Sequence, residues 1–343
     1  MDLYLFPEAA CKNDGYGIGV DFAYHKNPPK AEDLVIWYTS YPQSQMLHVR
    51  SSDVILRRFG LLSIKSVRNI LSGRIRSELS FNELAFLKNY SIDNIYSDDV
   101  LFYRILRQLF PEKRIHIRFH NCFSRIYIRN TFLKRNVGLK YSITLKNMRK
   151  LENEIFNDRN VYKIFISDED RDFYISTYGI VSDSETWHYL PNEKLINVNR
   201  KGIVLSNKLV WFGGVESHKE SSILWFINNV FPRLRNKNPY LEFHLWGKNT
   251  VKFNSPDTNV FGHGFFSGDG MPFADSLYVN PDIIGGGIKL KLMTLLENGV
   301  PFISTPFGFE GYSPKFIDGK YCHVVEEDKW VDAILSILEK YKA

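Results

Sequence analysis

"GGGIKLKLMTLLENGVPFISTPFG", residues 285–308, decides how this chain folds. Ile288, Leu292, Leu295, Leu296 and Gly299 recur at the spacing of a helix with one buried face, and Gly299 and Pro301 supply its stop. The run "SLYVNP" (276–281) before the glycines and "VPFIST" (300–305) after the helix both read as buried strands. Strand, helix and strand in that order make a βαβ unit, hence a parallel sheet covered on both faces. Lys289 and Lys291 fall in the first turn of the helix, where its dipole opposes each by about 0.3–1 kcal/mol. Such a penalty, met twice in one turn, predicts an anionic ligand beside it.

The same alternation fills the rest of the carboxyl half. "KLVWFGG" (208–214) and "LEFHLWG" (241–247) read as strands, with a helix between them marked by Ile223, Ile227, Val230 and Leu234. "YCHVVEE" and a helix over "KWVDAILSILEKY" close the chain. In the amino half "DLYLF", "DLVIWYTS", "NIYSD", "RIHIRFH" and "YKIFIS" suit parallel strands, separated by longer, partly helical stretches. The polar, turn-rich segment 181–207 reads as a linker. The expected fold is α/β with two Rossmann-like domains, 1–195 and 196–326, and a closing helix, 327–343. Ligands of such sheets bind at the carboxyl ends of the strands, here in a cleft between the domains.

The bulk numbers set limits on function. A chain of 343 residues, 44% hydrophobic and 24% charged, is a globular protein able to bury two cores. Cys11, Cys122 and Cys322 lie far apart with no metal spacing, which favours a reducing cytosol. Without a basic leader at "MDLYLF" or a run of 18 apolar residues, the expectation is a cytoplasmic protein that neither is exported nor spans a membrane.

The net charge of +6 is concentrated between 101 and 150. That block holds Arg104, Arg107, Lys113, Arg114, Arg118, Arg125, Arg129, Lys134, Arg135, Lys140, Lys146, Arg149 and Lys150, with Glu112 as its one acid. It fits an anionic partner: a phospholipid surface, a pyrophosphate-bearing substrate or, with Phe119, Phe123 and Tyr127 interleaved, a nucleic acid. A solvated helical face of a basic protein is the alternative. Arg118, Arg125, Arg129, Lys134 and Arg135 are the candidate acceptor or membrane surface.

A second helix start poses the same problem as the first. "GGVESHKE" (213–220) passes from a strand through two glycines into Ser217-x-x-Glu220, a capping box, with His218 and Lys219 at the first two helical positions. Two glycine-to-lysine helix starts after strands of one sheet can hold a phosphate or diphosphate through backbone N–H groups, dipoles and ammonium charges together. The candidate donors are Gly214, His218, Lys219, Gly285, Gly286, Gly287, Lys289 and Lys291.

The stretches "LVWFGGVESHKESSILWFINNVFPRL" (209–234) and "ADSLYVNPDIIGGGIKLKLMTLLENGVPFISTPFGFEGY" (274–312) resemble the carboxyl domain of GT-B fold glycosyltransferases, especially glycosyltransferase family 4. "RFHN" (118–121), "KLENEIF" (150–156), "IFISDEDRDFY" (164–174) and "YLPN" (189–192) are similar, in order, to stretches of the same bacterial enzymes. The resemblance implies a metal-independent, retaining transferase with no cofactor besides its nucleotide-sugar co-substrate, UDP- or GDP-linked. It places the diphosphate near Gly214, Lys219, Gly286, Gly287, Lys289 and Lys291, and the leaving phosphate oxygen accepts the acceptor's proton. His120 is implied to contact the transferred sugar; the alternative is a histidine bonded in the core beneath the cleft. Gly15 and Gly17, in "KNDGYGIGV" (12–20), lie in the loop that approaches the donor phosphates in that fold.

The likeness departs from the family at three positions, one of them Gly214, where an arginine is usual and whose phosphate work is left to the lysines and His218. Many members carry two glutamates seven residues apart, and here those places hold Gly286 and Thr294. Glu297, one helical turn past Thr294, either substitutes for the ribose-binding acid or is an ordinary exposed residue. "DED" (168–170) opens a helix after a strand, where acids suit the dipole, so no metal is expected there. The leading expectation is a transferase peripheral to the cytoplasmic face of the inner membrane, building lipopolysaccharide, capsule or exopolysaccharide on a lipid-linked glycan acceptor, without nucleic acid. A nucleic-acid-binding protein, a nucleotide-dependent oxidoreductase lacking its fingerprint, and an inactive sugar-nucleotide-binding homologue are the alternatives.

Overall fold

A computed structural model describes residues 1–7, 24–39, 43–57, 64–73, 79, 81–120, 122–133, 139–181, 183–188, 191–199, 202–215, 217–265, 275–283 and 288–342. They form two compact units, Met1–His188 and Tyr189–Ala343.

In the first unit the strands are β1 (Leu3–Phe6), β2 (Leu34–Thr39), β3 (Val54–Arg57), β4 (Ile95–Ser97), β5 (Ile115–Phe119), β6 (Val161–Phe165) and β7 (Ser184–Thr186). They lie in the order β3-β2-β1-β4-β5-β6-β7 with every pair parallel. Every residue of β1 and β2 is buried, as a parallel sheet covered on both faces requires. Leu3, Leu5, Ile95, Ile115, Ile117, Phe119 and Phe165 turn one face into the main core. The opposite face carries rings stacked from strand to strand: Trp37 on Phe6 at 4.7 Å, Tyr4 on Tyr96 at 4.8 Å, and His116 between Tyr96 and Tyr162 at 4.8 and 5.2 Å. The helices are α1 (Ile64–Leu71), α2 (Phe81–Leu84), α3 (Tyr103–Leu109), α4 (Phe123–Leu133), α5 (Leu139–Asn157) and α6 (Asp168–Tyr178).

The second unit holds β8 (Lys208–Phe212), β9 (Glu242–Trp246), β10 (Val260–Gly264), β11 (Leu277–Asn280), β12 (Phe302–Ser304) and β13 (Cys322–Val324), again all parallel, in the order β10-β9-β8-β11-β12-β13. Its helices are α7 (Glu193–Asn199), α8 (Ser217–Trp225), α9 (Phe231–Lys237), α10 (Leu290–Glu297) and α11 (Trp330–Lys340). A π-helical turn, Phe226–Val230, joins α8 to α9 just before Pro232, which has no amide to donate. Leu209, Trp211, Phe243, Leu245 and Val279 share a core with Ile223, Phe226, Trp330 and Ile334, so the closing helix is an integral part of this unit. On the other face Val210, Tyr278 and Phe302 pack against Leu292, Leu295 and Leu296 of α10 and Ile196 of α7.

The segment read as a linker, 181–207, contains β7 and α7, and the two units divide between His188 and Tyr189. Each sheet reverses its order of construction once, at β1/β4 and at β8/β11. The carboxyl ends of the strands at such a switch point are where open α/β sheets receive ligands.

Candidate functional site

At the second unit's switch point the backbone is drawn in tightly. Gly213, directly after β8, has φ 142° and donates its amide to the Trp246 carbonyl at 2.9 Å. Gly247, directly after β9, has φ 127°, and a Cβ there would stand 2.1 Å from the Gly213 carbonyl oxygen. Only glycine fits that approach. The Val215 amide donates to the Lys248 carbonyl at 2.9 Å, so the loops after β8 and β9 are tied together where Gly214 leads into α8. Ser217, His218 and Lys219 open that helix. Glu220 of the expected capping box pairs with Lys252 at 2.7 Å.

The loop after β11 brings in the second lysine pair. Asp282 is buried, its side chain 2% exposed, and its carbonyl accepts the Thr305 hydroxyl. The Ile283 amide donates to Ser222 Oγ at 3.2 Å, which ties this loop to α8. Lys289 is the N-cap residue of α10 and provides no side-chain cap. The Leu292 amide donates to the Lys289 carbonyl and the Met293 amide to the Tyr312 hydroxyl. Lys289 Nζ stands 4.8 Å from the Phe307 ring.

Lys291 points into this corner, its side chain 16% exposed. Its Nζ lies 4.9 Å over the Trp211 ring and 3.5 Å from Asp282 Oδ2, too far for a good hydrogen bond. Among the described residues neither Nζ nor either Asp282 carboxylate oxygen has a hydrogen-bond partner. Burial pushes the Lys291 ammonium down to about 8 against the pull of Asp282, and the charges of Lys219 and Lys289 push the same way. The two lysine-bearing helix starts therefore act on one point in space. A corner with three ammonium groups, one carboxylate and unmade hydrogen bonds can receive an anion.

The Glu297 carboxylate accepts the Asn192 amide at 2.7 Å, at the start of α7. Thr294, one turn earlier, accepts the Asn298 amide on its carbonyl at 3.1 Å. Gly15, Gly17, Gly285, Gly286 and Gly287 lie outside the described residues, as do Lys134 and Arg135.

In the first unit a buried polar cluster sits where β4 and β5 end. Asp98 follows β4; one carboxylate oxygen accepts Arg118 Nε and the other stands 2.8 Å from His120 Nε2. Arg118 Nη2 is 3.0 Å from the same ring nitrogen. Burial pushes the Asp98 carboxyl up, but Arg118 and His120 outweigh it and hold it below the usual carboxylate range. The His120 side chain is 19% exposed, which makes it both a bonded and a reachable histidine. Arg118 and Asp98 also line a hollow on the aromatic face with Tyr4, Tyr96, His116 and Trp187.

No protein-family model matches the chain, and no curated protein sequence does. Solved structures do. WaaG, a glycosyltransferase involved in lipopolysaccharide biosynthesis, aligns over 99% of this chain and 90% of its own at 11% identity and a TM-score of 0.62. The chain has the GT-B fold. Sucrose-phosphate synthase from Thermosynechococcus elongatus shares that GT-B fold at 12% identity and a TM-score of 0.64, with 99% and 90% of the chains covered. HepE of Anabaena, solved in complex with UDP, shares it at 12% identity and a TM-score of 0.58, again over 99% and 90%.

Within this GT-B chain much of the basic block proves to be structural. Arg104 pairs with Glu154 at 2.6 Å, Arg107 with Asp158 at 2.7 Å and Arg114 with Asp183 at 3.5 Å. Arg118 and Arg125 are not surface residues as expected: Arg118 is 2% exposed, and Arg125 bonds the buried Asp170 at 3.0 Å. The acids that answer the block come from outside it, which is why the local count overstated its free charge. Arg129, on α4, is partly exposed, and Lys146, Arg149 and Lys150 on α5 are exposed. In the "DED" stretch Ser167 caps α6 by accepting the Asp170 amide at 3.2 Å, and Asp170 holds Arg125. Among the described residues no cluster of three or more histidines, cysteines or acids is placed to hold a metal, and no helix is long and apolar enough to cross a membrane.

Asp98, Asp282 and Trp211 were missed in the sequence. Asp98 ends the run "NIYSD" and Asp282 stands just past "SLYVNP", where a buried acid reads like an ordinary turn residue.

Proposed function

We propose that this protein is a glycosyltransferase that takes a sugar from a nucleoside-diphosphate donor and passes it to a lipid-linked glycan in bacterial surface polysaccharide synthesis. The observation that carries this reading is the Lys291 ammonium held beside Asp282 at the β8/β11 switch point, with Lys219 and Lys289 acting on the same place. Cleaving a sugar–phosphate bond leaves charge on the departing diphosphate, and fixed ammonium and N–H groups stabilise it where it develops. Those groups supply the charge that a metal ion supplies elsewhere, which supports a metal-independent reaction without a further cofactor. The structural likeness to HepE, whose structure holds UDP, favours a UDP-linked donor, with GDP second. Retention of configuration, the acceptor and sugar-contacting role of His120, donor contacts from Gly15, Gly17, His218 and Thr294, and action at the cytoplasmic face of the inner membrane belong to the same proposal. Glu297, already bonded to Asn192, fits a bracing role better than ribose binding.

The extensive pairing of the basic block weighs against the nucleic-acid alternative. Thermal unfolding with UDP, GDP, ADP, CMP and dTDP tests the reading. A ligand at 100 times its Kd adds about 2.7 kcal/mol of stability, so one nucleoside diphosphate raises the Tm clearly. A folded Lys289→Ala, Lys291→Ala variant loses that shift; unchanged binding would remove the site assignment.

A further inference from the structure

Asp282 puts a negative charge in a corner whose other charged groups all await an anion. An acid there weakens a phosphate site by like-charge repulsion, so its presence calls for a role in the empty protein. Lys291 shows what that is: its ammonium is largely withdrawn from water, lies over the Trp211 ring, and has no hydrogen bond among the described residues. The charged groups around it are Asp282 on the loop after β11, Lys219 on α8 and Lys289 at the start of α10. Two repel its charge and only Asp282 supports it, from 3.5 Å and without a formed hydrogen bond.

We propose that Asp282 is the resident counter-ion of Lys291, that an incoming diphosphate takes over this role, and that binding therefore draws a proton onto Lys291. This rests on the donor-site reading above and adds to it a charge-setting residue and a thermodynamic signature. In the empty protein burial leaves Lys291 partly neutral in mildly alkaline solution. Two phosphate charges outweigh one carboxylate, so the bound protein holds Lys291 fully protonated over the same range. The proton comes from the buffer, and no bond in the ligand changes.

The test is calorimetric titration of UDP-glucose and GDP-mannose into the full chain at pH 7.0, 8.0 and 8.5, each in buffers of different ionisation enthalpy. Diphosphate diesters carry no phosphate group that titrates in this range. With the Lys291 ammonium pushed down toward 8 in the empty protein, the uptake is small at pH 7 and rises through pH 8 to pH 8.5. Asp282→Asn removes the one supporting charge, lowers the protonated fraction of empty Lys291 and raises the uptake at pH 7 several-fold. Lys291→Arg, which stays charged, brings the uptake to zero. Binding whose heat is independent of buffer overturns the coupling and leaves the donor site standing. An Asp282→Asn uptake equal to wild type removes Asp282 from it. Failure of both sugar nucleotides to bind sinks the donor-site reading and this inference together.

Discussion

His120 Nε2 stands 2.8 Å from Asp98 Oδ2, across the carboxyl ends of two neighbouring strands. The other oxygen of that carboxylate holds Arg118, so a single buried acid fixes both side chains. Removing one partner of a buried pair typically costs about 3–5 kcal/mol, because the other charge is left uncompensated. Asp98→Asn is therefore expected to destabilise the protein by that amount at pH 7 in urea unfolding. The sign with pH follows from the lowered carboxyl. Its contribution is present above the unfolded value of about 3.9 and is lost as pH falls through the folded one, so the variant shows a flatter loss of stability with acid. A cost below about 1 kcal/mol would mean that Arg118 finds its charge balance elsewhere.

The Gly213–Gly247 contact makes the proposed donor corner depend on a second glycine that no ligand need touch. Gly247→Ala forces a Cβ to 2.1 Å from the Gly213 carbonyl and places alanine at φ 127°. Strain of that kind costs about 1–3 kcal/mol, and here the neighbour that must yield is backbone leading into Gly214. The expected result is a lowered Tm together with weakened nucleoside-diphosphate binding. A variant that loses stability but binds normally would show that the loop position is immaterial to the site.

The fold was legible because its parallel strands are continuous apolar runs and its helices carry one apolar stripe. β1, β2, β4, β5, β8, β9, β11 and β12 fall inside the runs read from the sequence, and β6 begins one residue before its run. β3 and β7, on the rim of their sheet, and β10, on the rim of the other, are less buried and gave weaker signals. α7 was lost in a polar segment because its contacts come from α10, including the Glu297 bond to Asn192. In the site, the lysines could be found from an electrostatic conflict visible locally. Their counter-ion could not, because Asp282 stands nine positions before Lys291 and meets it only in three dimensions. The basic block misled for the same reason: Glu154, Asp158, Asp170 and Asp183 meet it only in three dimensions.

Arg125 separates a structural from a surface role. Its guanidinium is 3.0 Å from Asp170, whose side chain is 1% exposed. Arg125→Ala removes the ion pair of that buried carboxylate and is expected to cost about 3–5 kcal/mol. Its partitioning onto vesicles of anionic lipid, measured by sedimentation on the folded fraction, stays at the wild-type level. A loss of vesicle binding without loss of stability would return Arg125 to the surface.

Membrane contact, if the proposed location holds, falls to cations that the fold leaves exposed, of which Lys146, Arg149 and Lys150 lie within two turns of α5. A basic side chain near an anionic leaflet contributes about 1 kcal/mol, screened by salt. Replacing all three by alanine is therefore expected to weaken binding to phosphatidylglycerol-containing vesicles by about two orders of magnitude. Thermal stability and the nucleotide-induced Tm shift stay as they were, since these side chains belong to neither core. Vesicle binding that resists both the substitutions and 0.5 M salt would assign the contact to another surface, and no binding by the wild type would remove the membrane from the proposal.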